Sequence, residues 1–593
     1  MTAPERFERL LGPFIESSVI SPLDYRFALT MARLSLTPPT DEVVLGAAAA
    51  SAALTRGDIC LELSRAKDLL VPTDEHARLA PSLTWPEPTR WRERLLASPL
   101  VSDGSEVRPL VLDGERLYLH RYYDYQRRLA HGLMARRDLS FTVDEARLAA
   151  TLDRLEASQH KDPTQRVAAE MAVRRGLTII SGGPGTGKTS TVVRILGALI
   201  EQKPNLRAVL VAPTGKAATR LAASIREQRE KLPPELADRI PEDAATIHRR
   251  LGYRPQSPTR FAHDADNPLA ADVVVLDEAS MVDLALMTKL VEAVPPQARL
   301  IMLGDKDQLA SVAAGHVLGD IAAIAAPGEP LEHAFAQLTY SHRFTAEGGV
   351  GQLAEAIKRG DPDEVIARLR AGLTGLTWVE TNDKARSYDG LEDVVAEGLA
   401  PLFRQLGTPE SALSALSDFQ VLSAHRRGHF GAETLNPTIE RWLVKRQLLP
   451  TGLDHPPGRP VIVLVNDPAQ ELYNGDTGIT LHDVDGTTRV HFPVAASGNR
   501  VIASRSLSLA QLPSHAPLYA MTIHKAQGSG FGHVVCVLPP EPSPVTTREL
   551  LYTAVTRARH RVTLFASEAV VRHAVLTRVQ RGSGLPDALR AAI

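Results

Sequence analysis

Cysteine is nearly absent from this 593-residue sequence: Cys60 and Cys536 are far apart and lack ligand-like neighbours. That scarcity excludes a disulfide framework or a cysteine metal site, and the pair reads as buried thiols in a reducing compartment. Long apolar runs are also missing. The most apolar N-terminal stretch, Val43 to Leu54, is Ala-rich and too short to span a bilayer, so no membrane association is expected. Glu5 and Glu8 stand where a signal peptide would carry a basic segment ahead of an apolar core, so none is expected. Charge of one sign is not in excess. A net charge of −2 excludes a globally basic protein that coats nucleic acid, while leaving room for a local basic groove. With 44% hydrophobic and 23% charged residues the chain has the composition of a globular protein, and its length implies roughly three to five domains.

The most informative stretch is Ser181-Gly182-Gly183-Pro184-Gly185-Thr186-Gly187-Lys188-Thr189. An apolar run, Leu177 to Ile180, precedes it as a buried strand, and helix-like sequence follows from Ser190 to about Ile200. Strand, glycine loop and helix form the context of a phosphate-binding loop, and Gly182 to Thr189 fits G-x-x-x-x-G-K-[ST] in full. Glycines let several backbone N–H groups converge on one anion, and the helix adds the positive end of its dipole. Gly182, Gly183, Pro184, Gly185, Thr186 and Gly187 would cradle a nucleoside triphosphate; Lys188 would reach its outer phosphates and Thr189 would hold Mg²⁺.

Upstream, residues 1 to about 115 carry helical patterning at Phe7 to Ile15, Tyr25 to Leu34, Glu42 to Leu54 and Ile59 to Leu63. They show no catalytic constellation and are expected to form a small helical docking domain. Pro109 to Leu119 reads as a hairpin turning at Asp113-Gly114, and Arg121 to Ala135 as a long helix. From about 165 to 345, strands alternate with helices as in a parallel α/β sheet, with four strands evident: Leu177–Ile180, Ala208–Ala212, Val273–Leu276 and Leu300–Leu303. Ligands of such sheets sit at the carboxyl ends of the strands. After the third strand come Asp277, suited to the Mg²⁺ shell, and Glu278, suited to polarising an attacking water. After the fourth comes Gln308, able to hydrogen-bond a terminal phosphate and that water. Thr214 and Lys216 follow the second strand, and Thr246 and His248 lie further on; these hydroxyl, imidazole and ammonium groups suit a phosphodiester backbone.

The ordered series of motifs resembles a superfamily 1 helicase, and within it the RecD subunits of RecBCD (exonuclease V) complexes. The resemblance rests on Gly182 to Thr189, Ala212 to Ala218, Leu276 to Met281, Leu303 to Val312, Tyr340 to Phe344, Asn474-Gly475-Asp476, Met521 to Gly528 and Tyr552 to Ala558, collinear over about two thirds of the chain. It implies two RecA-like parallel-sheet motor domains of the P-loop NTPase class, a small helical N-terminal domain and a small β-barrel-like insertion in the second motor. The implied domains are 1–115 for partner docking, 116–345 as motor 1, 346–458 and 509–593 as the two parts of motor 2, and 459–508 as an SH3-like insertion.

The same resemblance assigns roles. ATP would lie between the motors, its base read by Gln165, with Arg343 and Arg557 stabilising the transition-state charge on closure; Arg559, two residues on, is the rival to Arg557. Single-stranded DNA would cross Thr214, Lys216, Thr246 and His248 on one motor and His425, Arg426, Asn474, Thr522, His524 and Lys525 on the other. Aromatics at 5% argue against an extended base-stacking track. Residues 251–263, with Pro255 and Pro258 at the middle, are expected to form a hairpin that acts as a strand-separating pin or as a plain surface hairpin. Gly530 replaces the acidic residue of many relatives, which implies looser coupling of DNA contact to ATP turnover. The implied activity is ATP-driven 5′→3′ translocation and unwinding in double-strand-break processing, at DNA ends, in the cytoplasm and on the nucleoid through DNA. RecB-like and RecC-like partners would complete a heterotrimer, with nuclease chemistry in a partner. The absence of a long N-terminal extension favours this over a stand-alone helicase, and the intact hydrolytic set disfavours a regulatory ATP switch with little unwinding.

Overall fold

Strands that are apolar on both faces need helices on both sides, and two such sheets organise the chain. The structure, a computed structural model, describes residues 3–35, 37–72, 82–157, 162–254, 256–257, 259–341, 343, 348–381, 388–483, 486–497 and 500–592. Its first large sheet has six parallel strands in the order Phe335–Leu338, Leu177–Gly182, Arg299–Gly304, Val273–Leu276, Ala208–Ala212 and Ala244–Thr246. The four expected strands are its centre; the two edge strands, short and half-exposed, carry too little apolar pattern to read from sequence. The second sheet has five parallel strands, ordered Leu376–Glu380, Ala558–Ala566, Phe531–Val537, Phe419–Ser423 and Ala520–Thr522. Two parallel α/β units are therefore present, as the fold reading expected.

Three expected boundaries change. The N-terminal unit is not purely helical. Its helices Ala3–Glu16, Pro22–Leu34 and Asp41–Thr55 follow the expected pattern, but they pack with a four-stranded sheet. Ile59 to Leu63, read as helix, contains the strand Leu61–Glu62, which pairs with Arg116–Leu119. The hairpin at Asp113-Gly114 forms as expected, so this sheet runs past residue 115 to Leu119. The insertion is an open antiparallel sheet of five strands, Arg500–Ser508, Thr488–Ser497, Thr477–His482, Pro460–Val463 and His515–Pro517, so it ends at Pro517 and not at residue 508. Its outermost strands do not pair with each other, so the expected barrel does not close among the described residues.

The third change concerns the C-terminus. After the helix Glu568–Leu576 the chain leaves the second sheet and crosses back to the first half of the molecule. Gly582 accepts from the Ile59 N–H at 2.7 Å and donates to Asp58 Oδ1 at 2.8 Å. Ser583 Oγ donates to Asp320 Oδ2 at 2.7 Å, and the Arg581 guanidinium donates to the carbonyls of Ala313 and Gly315. Leu585 and Leu589, on the last helix Leu585–Ala591, are fully buried in the core that contains Tyr118, Leu129 and Val317. Thr577 and Val579 still bond to Arg548 and Glu549 of the second motor, and residues 580–592 are a strap over the N-terminal unit and first motor, not part of motor 2.

Candidate functional site

The phosphate loop sits at the carboxyl end of the fully buried strand Leu177–Gly182, and the helix Lys188–Gln202 starts directly after Gly187. Gly185 has φ +86°, and a Cβ there would stand 2.3 Å from Cβ of Arg343, so only glycine lets the loop pass that arginine. Lys188 Nζ donates to the carbonyls of Gly182 at 2.6 Å and Gly183 at 3.4 Å, and its charge acts on the Asp277 and Asp305 carboxyls. Gln165, on the helix Pro163–Arg174 capped by Asp162, is buried and donates through Nε2 to the Thr186 carbonyl at 3.1 Å.

The residues expected to handle a triphosphate come together. Gln165, Lys188, Thr189, Asp277, Glu278, Gln308, Arg343 and Arg557 line one cleft of about 460 Å³ between the two sheets, with Pro184, Gly185 and Gly187. Thr189 and Asp277 supply a hydroxyl and a carboxylate, a donor pair of the kind Mg²⁺ takes with phosphate oxygens and waters. The Asp277 carboxyl is pushed up to about 6 by burial and by Glu278, with Lys188 opposing. Glu278 is held in the left-handed region at φ 53°, ψ 43°.

Arginine dominates the opposite wall. Burial, together with Arg220, Arg557 and Arg559, pulls Arg343 down to about 9, against Glu278. Arg557 is 3% exposed and donates to the carbonyls of Thr553 and Ser529, both at 3.2 Å. Arg559 likewise bonds carbonyls of its own domain, those of Ser417 and Gly530, and of the neighbouring pair Arg557 is the one that lines the cleft. Arg220 was not singled out from sequence. It lies on the helix Gly215–Arg229, lines the cleft and donates to the Gly528 carbonyl at 2.9 Å. Its one sequence signal is the i, i+4 spacing from Lys216, which puts both on one helix face. Several clustered cations with carbonyl partners form a site for a polyanion.

The expected nucleic-acid residues fall into two loop pairs. Ala212 pairs with Thr246 and Ser423 with Thr522, both in parallel register, so the loops carrying Thr214 and His248 leave one sheet side by side, as do those of His425 and His524 on the other. The hydroxyls of Thr214, Thr246 and Thr522 also cap the turns that follow, accepting from Ala217, Arg249 and Lys525 N–H. Arg426, 71% exposed, pairs with Glu433 at 2.6 Å, a surface ion pair a phosphate could replace at little cost. Lys525 is pulled down by burial and Arg426, and His524 by burial and Arg581. Lys216 is a different case: burial pulls it down to about 8 with Asp476 of the insertion opposing, so it joins the insertion as much as it faces solvent. Asn474 lies in the same insertion turn, where the neighbouring Tyr473 ring lies against Gly215.

Between these loops, Tyr253 and Phe261 form an antiparallel bridge, as a hairpin over 251–263 requires; Pro255 and Pro258 lie outside the described residues. His248 packs its ring 5.8 Å from Tyr253 and 5.7 Å from Phe261. At Gly530 the nearest atom to an added Cβ would be the Arg557 carbonyl at 3.8 Å, so packing leaves room for a side chain. Among the described residues, no group of three or more His, Cys, Asp or Glu is placed to hold a metal ion, and no helix is long and apolar enough to cross a membrane. Both cysteines are buried free thiols.

Comparison with known proteins follows the same division of the chain. Residues 16–118 match the family model "RecBCD enzyme subunit RecD, N-terminal domain", 165–314 an AAA domain and 517–565 a UvrD-like helicase C-terminal domain. The RecBCD enzyme subunit RecD of Mycolicibacterium smegmatis is 37% identical over 98% of this chain and 99% of its own. That of Haemophilus influenzae is 32% identical over 96% and 97%. The ATP-dependent RecD2 DNA helicase of Deinococcus radiodurans is 34% identical over 65% of this chain and 46% of its own. Among solved structures, the Bacteroides Pif1 helicase in complex with ADP-AlF3 and ssDNA is similar over 67% of this chain and 90% of its own, at 17% identity and a TM-score of 0.34.

Proposed function

The chain belongs to the RecD family of RecBCD enzyme subunits, and from that premise we propose that it is an ATP-dependent DNA helicase moving 5′→3′ on single-stranded DNA. It works in a RecBCD-type helicase–nuclease, with RecB-like and RecC-like partners, at DNA ends in double-strand-break repair. The observation that carries this reading is the single cleft. Residues from Gln165 to Arg557, on two separate parallel sheets, line one cavity whose arginine wall is matched by a triphosphate.

Within that cleft each residue takes a role. The backbone from Gly182 to Gly187 and the Lys188 ammonium bind the phosphates, and Gln165 reads the adenine edge. Thr189 and Asp277 hold Mg²⁺, which when bound supplies charge neutralisation at the phosphates. Glu278 takes a proton from the attacking water, and Gln308 orients that water against the terminal phosphate. Arg343 and Arg557 stabilise the charge that develops there, and only the second comes from the far domain, so hydrolysis follows domain closure. DNA contacts by Thr214, Lys216, Thr246, His248, His425, Arg426, Asn474, Thr522, His524 and Lys525 go to sugar and phosphate, as a motor indifferent to sequence requires. Residues 1–115 dock the partner subunits, and the 251–263 hairpin parts the duplex.

The full-length match to RecD subunits, against a match to under half of the larger RecD2 helicase, favours a subunit over a stand-alone enzyme. The experiment is ATP turnover with and without single-stranded DNA. Wild type is expected to be DNA-stimulated and Lys188→Ala to lose at least about a hundredfold in rate while keeping its melting temperature. Basal turnover indifferent to DNA would contradict the reading.

A further inference from the structure

Tyr552 lies on the helix Arg548–Thr556, whose C-cap is Arg557. Its ring is buried, and its hydroxyl crosses from the second domain to the first, donating to Asp305 Oδ2 at 3.2 Å. The same oxygen accepts from Gln308 Nε2 at 2.8 Å, and Asp305 Oδ1 accepts from the Asp307 N–H at 3.1 Å. Gln308 is therefore aimed by a carboxylate that also answers to a hydroxyl of the far domain. The next residue is gripped twice more from that side. The Leu309 N–H donates to Thr553 Oγ1 at 3.0 Å, and its carbonyl accepts from Gln527 Nε2 at 2.9 Å.

The Tyr552 hydroxyl also meets the phosphate loop. A Cβ on Gly183 would stand 2.8 Å from it, with Asp305 Oδ2 next at 3.8 Å, and, its chain neighbours aside, nothing else within 4 Å among the described residues. Among the described residues, that hydroxyl is what a methyl at residue 183 meets most closely. Burial raises the Tyr552 phenol well above its ordinary range, so it stays a donor at any working pH.

We propose that Tyr552 is a positioning residue: its hydroxyl, Asp305 and Gln308 form a relay by which closure of the second domain sets Gln308 against the terminal phosphate. The inference rests on the reading of the cleft as an ATP-hydrolysing site. When the domains part, Asp305 loses the hydroxyl and Leu309 loses both its partners, and Gln308 is released from the geometry that orients water. The same helix carries Arg557, so sensor and arginine arrive together. Hydrolysis without DNA-driven closure is then suppressed at two points.

The test uses the full-length chain as wild type, Tyr552→Phe, Gly183→Ala and the double variant, measured by ATP turnover with single-stranded DNA. Tyr552→Phe is expected to lower kcat about tenfold, the weight of one hydrogen bond to a charged group, with KM for ATP within about twofold. An unchanged KM separates lost positioning from a damaged fold. Gly183→Ala should be impaired in the wild-type background and rise to the level of Tyr552→Phe in the double variant, where the opposing hydroxyl is gone. Tyr552→Phe turning over at the wild-type rate, or Gly183→Ala equally impaired in both backgrounds, would overturn the relay. A wild type without DNA-stimulated turnover would overturn the cleft reading, and the relay with it.

Discussion

Glu278 sits in left-handed backbone, a conformation costing a non-glycine residue about 1–3 kcal/mol, at the end of an otherwise regular strand. Replacing it separates function from strain. Glu278→Ala and Glu278→Gly should both abolish hydrolysis, and the glycine variant should be the more stable by about 1 kcal/mol in chemical denaturation, because only glycine tolerates that φ. The arginines separate as sharply. Arg557→Ala should cost on the order of a thousandfold in kcat, whereas Arg559→Ala, whose side chain is outside the cleft lining, should stay within about threefold, read by steady-state ATPase. The phosphate loop, Asp277, Glu278 and Gln308 were legible in the sequence because each follows an apolar strand in a short motif. Arg220 and Tyr552 were not singled out: their partners Gly528 and Asp305 lie hundreds of residues away, and the spacing of Arg220 from Lys216 says nothing of that partner.

At the scale of elements, the C-terminal strap carries the clearest consequences. Leu589→Ala should cost about 2–5 kcal/mol by removing a fully buried side chain from the shared core, seen as a lower melting temperature. Asp320, bonded to Ser583 of the strap, is pushed up to about 7 from its ordinary 3.8 by burial, against Ser583 and Arg581. The folded state therefore holds a proton that the unfolded state releases between about pH 4 and 7, and stability from this group falls as pH rises through that window. Asp320→Asn is expected to melt near wild type at pH 5 and above it at pH 8, in thermal scans at the two pH values. Buried strands such as Val273–Leu276 were legible from composition alone. Leu61–Glu62 was not, since its partner Arg116–Leu119 is distant in sequence and two residues carry no period. The strap escaped for the same reason: its leucines become core only against Tyr118, Leu129 and Val317.

For the whole molecule, the proposed function joins the two parallel sheets and the cleft between them into a machine in which ATP turnover and domain approach would be one event. Direction along DNA rests on family membership, since nothing in the cleft's chemistry distinguishes one polarity from the other. In the proposed function, hydrolysis in this cleft drives strand separation. The most direct measurement is displacement from a 5′-tailed duplex by the chain assembled with its partner subunits, comparing wild type with Glu278→Gln in this chain alone. Wild type is expected to separate the 5′-tailed strands while Glu278→Gln still binds ATP and DNA but separates none; unwinding by Glu278→Gln at the wild-type rate would show that hydrolysis in this cleft does not drive it.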